Sequence, residues 1–161
     1  MIITQLFHES FGKARKGLTV LAVEAPESQH HTNQRFFGGR RNMIGCFLSA
    51  HDGSRDIIVT VPESLRDISL CGSFLGDLHK QSLMRSFRSE YEGTVAYAKE
   101  SDIPTIEISI PEISAYEIGN LMAFWHYVSV FSSLLRGVNP YDQPEVERSK
   151  EIALRQRRKR Y

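Results

Sequence analysis

Apolar and polar positions follow two rhythms along this chain, one short and β-like, the other helical. Leu18 to Val23 (Leu-Thr-Val-Leu-Ala-Val) is a short, β-branched apolar run and predicts a buried strand. Met43 to Ser49 predicts a second strand, and Asp56 to Val61 a third that Pro62 stops. Thr105 to Ile110 alternates strictly (Thr-Ile-Glu-Ile-Ser-Ile), which predicts a strand with one solvated face near an edge or a boundary.

The helical rhythm fills the intervals. Gln29 to Arg41 predicts a helix with Ser28 as cap and Gly38-Gly39 loosening its end. Leu70 to Lys99 predicts a long one, interrupted near Gly93, with Leu75, Leu78, Leu83, Met84, Phe87 and Tyr91 on its apolar face. After Pro111, Ser114 is placed to cap a helix with Glu117 in the capping-box position. Ile118, Leu121, Met122, Trp125, Val128, Phe131 and Leu135 form its apolar stripe down to Gly137. A last helix is predicted from Pro144 through Arg158. Strands separated by helices imply an α/β class: a three-layer α/β/α arrangement, a mainly parallel sheet flanked by helices, and a C-terminal helix. Residues 1–161 read as a single domain, without repeats or low-complexity linkers.

Composition narrows the picture modestly. A formal net charge of +1 gives no global field toward nucleic acid or membranes. Cys46 and Cys71 lie far apart without a CxxC neighbour, and are expected to be buried free thiols in a reducing, cytoplasmic compartment. No apolar run is expected to approach the roughly 20 residues of a membrane span, and no signal-peptide pattern opens the chain.

Familiar chemical motifs are excluded first. The glycine-rich stretch Phe37 to Gly45 has neither Walker nor GxGxxG spacing, there is no GxSxG elbow, and the six histidines show no HExxH, so no metal site is expected. Three polar segments remain at the edges of apolar elements, where open α/β sheets place ligands. Glu9-Ser10-Phe11-Gly12-Lys13 precedes the first predicted strand and also reads as a solvated loop turning at Gly12. Gln29-His30-His31 opens a helix, where a histidine also serves as a cap or surface residue. Val138 to Glu147 joins the last two helices; its Asn, Pro and Asp also fit plain turn chemistry, and Lys150 a solvated helix charge.

In combination these segments resemble the phosphoglucose (glucose-6-phosphate) isomerase family. Asn139-Pro140-Tyr141-Asp142-Gln143-Pro144-x-Val146-Glu147-x-x-Lys150 is similar to that family's C-terminal signature, and Glu9-Ser10-x-Gly12-Lys13, with Gln5 four residues earlier, to its Glu-Ser-x-Gly-Lys motif. The family's histidine stands four residues before a glutamine and nine before a glycine. His30, Gln34 and Gly39 meet both offsets, and His31 does not. Gly93-Thr94 through Pro111-Glu112 and Gly119 are similar to bacterial members as well. Two positions depart from the pattern: Glu145 where relatives often have glycine, and Ser28-Gln29 where many have Asp-x.

The resemblance implies a C-terminal sugar-isomerase (SIS-type) domain acting on glucose 6-phosphate and fructose 6-phosphate without metal or organic cofactor. It implies Glu9 as the base that carries a proton between C2 and C1 through a cis-enediol, and His30 as the group that opens the sugar ring. Lys150 assists opening at O1 and stabilises negative charge, Gln143 contacts substrate hydroxyls, and Gln5 lies on the phosphate side. It also implies an N-terminal SIS half that supplies the phosphate loop, a homodimer, and little turnover by this chain alone. A non-catalytic sugar-phosphate-binding or assembly module of SIS type is the alternative. The basic run Arg155 to Arg160 is expected to be a frayed helix end rather than a nucleic-acid site.

Overall fold

The computed structural model describes residues 2–51 and 56–158. Its class is α/β, and it divides into two compact units: residues 1–23 with 115–161, and residues 24–114.

The first unit is helical. Its helices are α1 (Ile2–Phe11), α4 (Ala115–Leu135) and the C-terminal α5 (Pro144–Arg158). α1 packs on α4 around an aromatic cluster: Phe7 lies 4.9 Å from Phe11 and 5.6 Å, edge-on, from the buried Trp125. The buried face of α4 differs from the predicted stripe. Trp125, Ser129 and Ser133 are buried, whereas Phe131 and Leu135 are exposed. Serines at these positions let the backbones approach, and Ser129 Oγ donates to the Leu6 carbonyl of α1 at 3.3 Å. Ser133 Oγ donates to the Ser129 carbonyl one turn back.

α4 ends as its glycine requires. Gly137 sits at φ +64°, and Val138 N–H returns to the Ser133 carbonyl, a left-handed cap that costs a residue without Cβ nothing. By length and composition α4 is also long and apolar enough to cross a membrane, which corrects the expectation that no run approaches that length. Isolated polar residues such as His126, Ser129 and Ser133 break the run without lowering its average enough.

Leu18 to Val23 is not a strand. It is irregular, with Leu18, Leu21 and Val23 exposed, and the Val20 N–H is taken by His8 Nε2 at 3.1 Å. A side chain of α1 thus occupies a ladder donor, and among the described residues no strand pairs with this segment.

In the second unit β1 (Gly45–Ala50) and β4 (Thr105–Ile110) pair in parallel, Gly45 opposite Thr105 through Ala50 opposite Ile110. Helices α2 (Gln29–Gly38) and α3 (Leu83–Glu100) accompany this sheet. Phe36 and Phe37 of α2 reach Phe47 of β1 and Tyr97 of α3, and Val95, Ala98 and Ile103 are buried nearby in sequence. The predicted strand over 56–61 is reduced to one bridge, Ile58 to Ser82.

The long helix predicted from Leu70 starts only at Leu83, where Ser82 Oγ accepts from Arg85 N–H as a cap. Gly93 does not interrupt it. Before it, β2 (Ser69–Leu70) and β3 (Ser73–Phe74) form a hairpin about Cys71 (φ +48°) and Gly72 (φ +84°), the pair of positive angles that a two-residue hairpin turn uses. Local turn chemistry overrode the helical spacing there. Ser28 precedes α2 but does not cap it with its side chain, since its hydroxyl bonds back to the Glu24 carbonyl. Both cysteines are free, as expected, but exposed rather than buried: Cys71 lies in the hairpin turn, and Cys46 stands on a face of β1 that little covers. Lys159 and Arg160 of the basic run lie outside the described residues.

Candidate active site

Two of the three polar segments meet in the helical unit. Glu9 lies in the last turn of α1 rather than in a loop, because Ile3, Leu6, Phe7 and Phe11 give the segment a helical apolar face against α4. Beyond it the chain reverses through Gly12 to Gly17. A Cβ on Gly12 would stand 2.6 Å from the His8 carbonyl oxygen; one on Gly17, which sits at φ +100°, would stand 2.7 Å from the Phe11 carbonyl oxygen. Gly17→Ala is therefore expected to destabilise this unit by about 1–3 kcal/mol, read as a lower urea midpoint of Trp125 fluorescence; an unchanged midpoint would refute the steric reading.

Between the glycines, Ala14 and Arg15 also have positive φ (50° and 60°), each costing roughly 1–2 kcal/mol for a residue with Cβ. The side chain of Lys13 holds this turn. Only 6% exposed, it donates to the Asn139 carbonyl at 2.5 Å and to Asp142 Oδ1 at 2.8 Å. Hydrogen bonding from Lys13 and its charge hold the Asp142 carboxyl below the usual carboxylate range. The turn after α1 and the loop after α4 are thereby locked together, and Asn139 Oδ1 accepts from Tyr141 N–H to shape that loop further. Glu145 leans toward the same turn, its carboxylate 3.5 Å from Ala14 N. It does not line the cavity described next.

That cavity, about 260 Å³, is lined by Glu9 and Ser10 of α1, His126 and Ser129 of α4, and Tyr141, Asp142 and Gln143 of the loop, among others. Gln5 Nε2 donates to Glu9 Oε1 at 3.0 Å, one turn apart on α1. The structure thus gathers Gln5, Glu9 and Gln143 about one place. Lys150 lies on α5, exposed and paired with Glu147 at 2.6 Å, and is not among the lining residues. His30 opens α2 in the other unit and is exposed. Sequence reasoning missed Lys13 as the lock and His126 as a lining residue. The place of Lys13 in the Glu-Ser-x-Gly-Lys segment was a usable signal for the first. For His126 the signal was its position one turn before Ser129. Among the described residues, no three His, Cys, Asp or Glu side chains gather as metal ligands.

The fold defines an α/β protein with a parallel strand pair, and the cavity joins a carboxylate to amide and imidazole groups. Comparison with known proteins makes this specific. The chain is similar to the glucose-6-phosphate isomerase of Fusobacterium nucleatum (32% identical over 143 residues, 89% of this chain and 31% of that protein). It is similarly close to that of Caldanaerobacter subterraneus (31% over 145 residues, 89% and 30%) and that of Shouchella clausii (32% over 147 residues, 89% and 30%). The resemblance to the glucose-6-phosphate isomerase family therefore runs along nearly the whole chain, which spans about a third of the length of the curated relatives it matches. No family model matches the chain. Among solved structures it superposes on a hypothetical protein from Thermus thermophilus with a TM-score of 0.86 at 25% identity, covering 96% of this chain and 37% of that one.

Proposed function

We propose that this chain is the C-terminal, acid–base part of a glucose-6-phosphate isomerase, interconverting glucose 6-phosphate and fructose 6-phosphate. The observation that carries the reading is the shared cavity of Glu9 and Gln143, in a chain whose relatives bear that enzyme's name. After ring opening, the Glu9 carboxylate takes the proton from C2, leaving a cis-enediol(ate), and returns it to C1 as the carbonyl moves to C2. His30 acts on the ring oxygen. Lys150 assists at O1 and stabilises negative charge. Gln143 holds substrate hydroxyls. Gln5 holds the Glu9 carboxylate and faces the phosphate side.

An N-terminal SIS-type half supplies the phosphate grip, and the complete enzyme works as a cytoplasmic homodimer without metal or cofactor. The exposed apolar side chains of α4, Phe124, Phe131, Leu134 and Leu135 among them, support a further covering surface. So does a parallel sheet of two strands among the described residues, because parallel sheets are ordinarily covered on both faces. In a coupled assay with fructose 6-phosphate, the chain alone should turn over little or nothing, and mixing it with the N-terminal half should restore activity. No turnover in the reconstituted protein would sink this reading.

One observation favours the alternative of a non-catalytic SIS-type binding or assembly module: Lys150 is engaged by Glu147 outside the cavity. Calorimetry with 6-phosphogluconate separates the two, since binding by a reconstituted protein that never turns over would support the module.

A further inference from the structure

We propose that His126 is a substrate-contacting residue of the cavity, presenting its Nε2 as an acceptor to a hydroxyl of the open-chain sugar phosphate. The inference rests on the sugar-phosphate reading above and adds a residue that none of the three polar segments contains.

Placement is the first argument. On α4, residues three and four apart share a face, and His126, Ser129 and Val130 all line the cavity together with Leu6, Glu9 and Ser10 of α1. The Ser129 hydroxyl, bonded to the Leu6 carbonyl, fixes the rotation of α4 against α1. His126 is thereby held on the cavity side, one turn before that anchor. Pro140, Tyr141, Asp142 and Gln143 of the loop complete the lining.

Tautomer is the second. His126 Nδ1 lies 2.7 Å from the Met122 carbonyl oxygen. A carbonyl only accepts, so Nδ1 carries the proton and donates it. The neutral ring then has its lone pair on Nε2, the nitrogen left for a ligand. Glu9, which shares the cavity, is an acceptor when ionised, and Gln143 offers both an amide donor and an acceptor. A polyol presents donors and acceptors on successive carbons, so two acceptors and an amide on different walls suit its hydroxyl row. An apolar ligand would offer none of the three a hydrogen-bond partner.

The test titrates 6-phosphogluconate into the chain combined with its N-terminal half while the ring nitrogens of this chain's histidines are followed by NMR. The proposal expects the Nδ1–H tautomer at His126 in the free protein and a shift of its Nε2 resonance on binding. His126→Phe should raise Kd roughly three- to tenfold, the net loss of one hydrogen bond, and His126→Gln, which keeps an acceptor, should recover part of it. An Nε2–H tautomer, an unmoved Nε2 resonance at saturation, or equal affinity of the Phe variant would each overturn the proposal. If the reconstituted protein binds and the Phe variant binds equally well, the isomerase reading stands and this one fails. If the reconstituted protein binds no sugar phosphate, both fail.

Discussion

Replacing Glu9 by Gln, in the chain combined with its N-terminal half, is expected to lower kcat by roughly 10²–10⁴-fold, with KM changed far less. The substitution keeps shape and an oxygen that can still accept from Gln5, whose amide donates to Glu9 Oε1 at 3.0 Å. What it removes is the proton acceptor. Glu9 is exposed at the end of α1, so the fold should tolerate the change, and the Trp125 emission of the variant should match that of the parent. A loss confined to kcat marks a group acting in the transition state. Unchanged turnover in the coupled assay would remove Glu9 from the mechanism.

Lys13→Met should have the largest effect on the architecture of the cavity. The buried ammonium ties the turn after α1 to the loop carrying Tyr141, Asp142 and Gln143. Methionine matches its stem but offers no donor, leaving the Asn139 carbonyl and Asp142 to find water. Asp142 is half exposed, at 52%, so solvent recovers part of the loss. A destabilisation of about 1–3 kcal/mol is expected, measured by urea unfolding with the single tryptophan as probe. Because that residue packs against Phe7 of α1, it reports on this unit. An unchanged midpoint would show that the lock is dispensable.

The same pair predicts a pH dependence. Lys13 holds the Asp142 carboxyl below its ordinary range, so the folded state binds that proton less readily than the unfolded chain. The stabilisation is present above the ordinary aspartate value, near 4. It is lost as pH falls through the depressed folded value. The difference in unfolding midpoint between parent and Lys13→Met should therefore narrow on acidification below about pH 4. A constant difference would mean that Asp142 contributes little.

Some elements were legible from spacing because local and tertiary preferences agree in them. Thr105 to Ile110 alternates and is a strand over those residues, while Pro144 to Arg158 is the helix its composition predicts. The segment before α3 was not legible. Its leucines have helical spacing, but the Cys71-Gly72 turn and a cap at Ser82 defer the helix to Leu83. The face of α4 was misread for a related reason. Hydrophobicity put Phe131 and Leu135 inward, whereas close approach to α1 selects the small side chains of Ser129 and Ser133. At the candidate site, the motif residues Gln5, Glu9 and Gln143 could be named from their order in the chain, but their meeting could not.

By itself, then, the sequence determined the α/β class, most of the helix positions, the family resemblance and the residue types available for acid–base chemistry. These depend on periodicity and motif order, which are local properties. Only the tertiary structure decided that Leu18 to Val23 stays irregular, that Lys13 locks two distant turns, and that His126 shares a cavity with Glu9. Each of these depends on which backbone donor, carboxylate or helix face a distant part of the chain brings within a few ångströms.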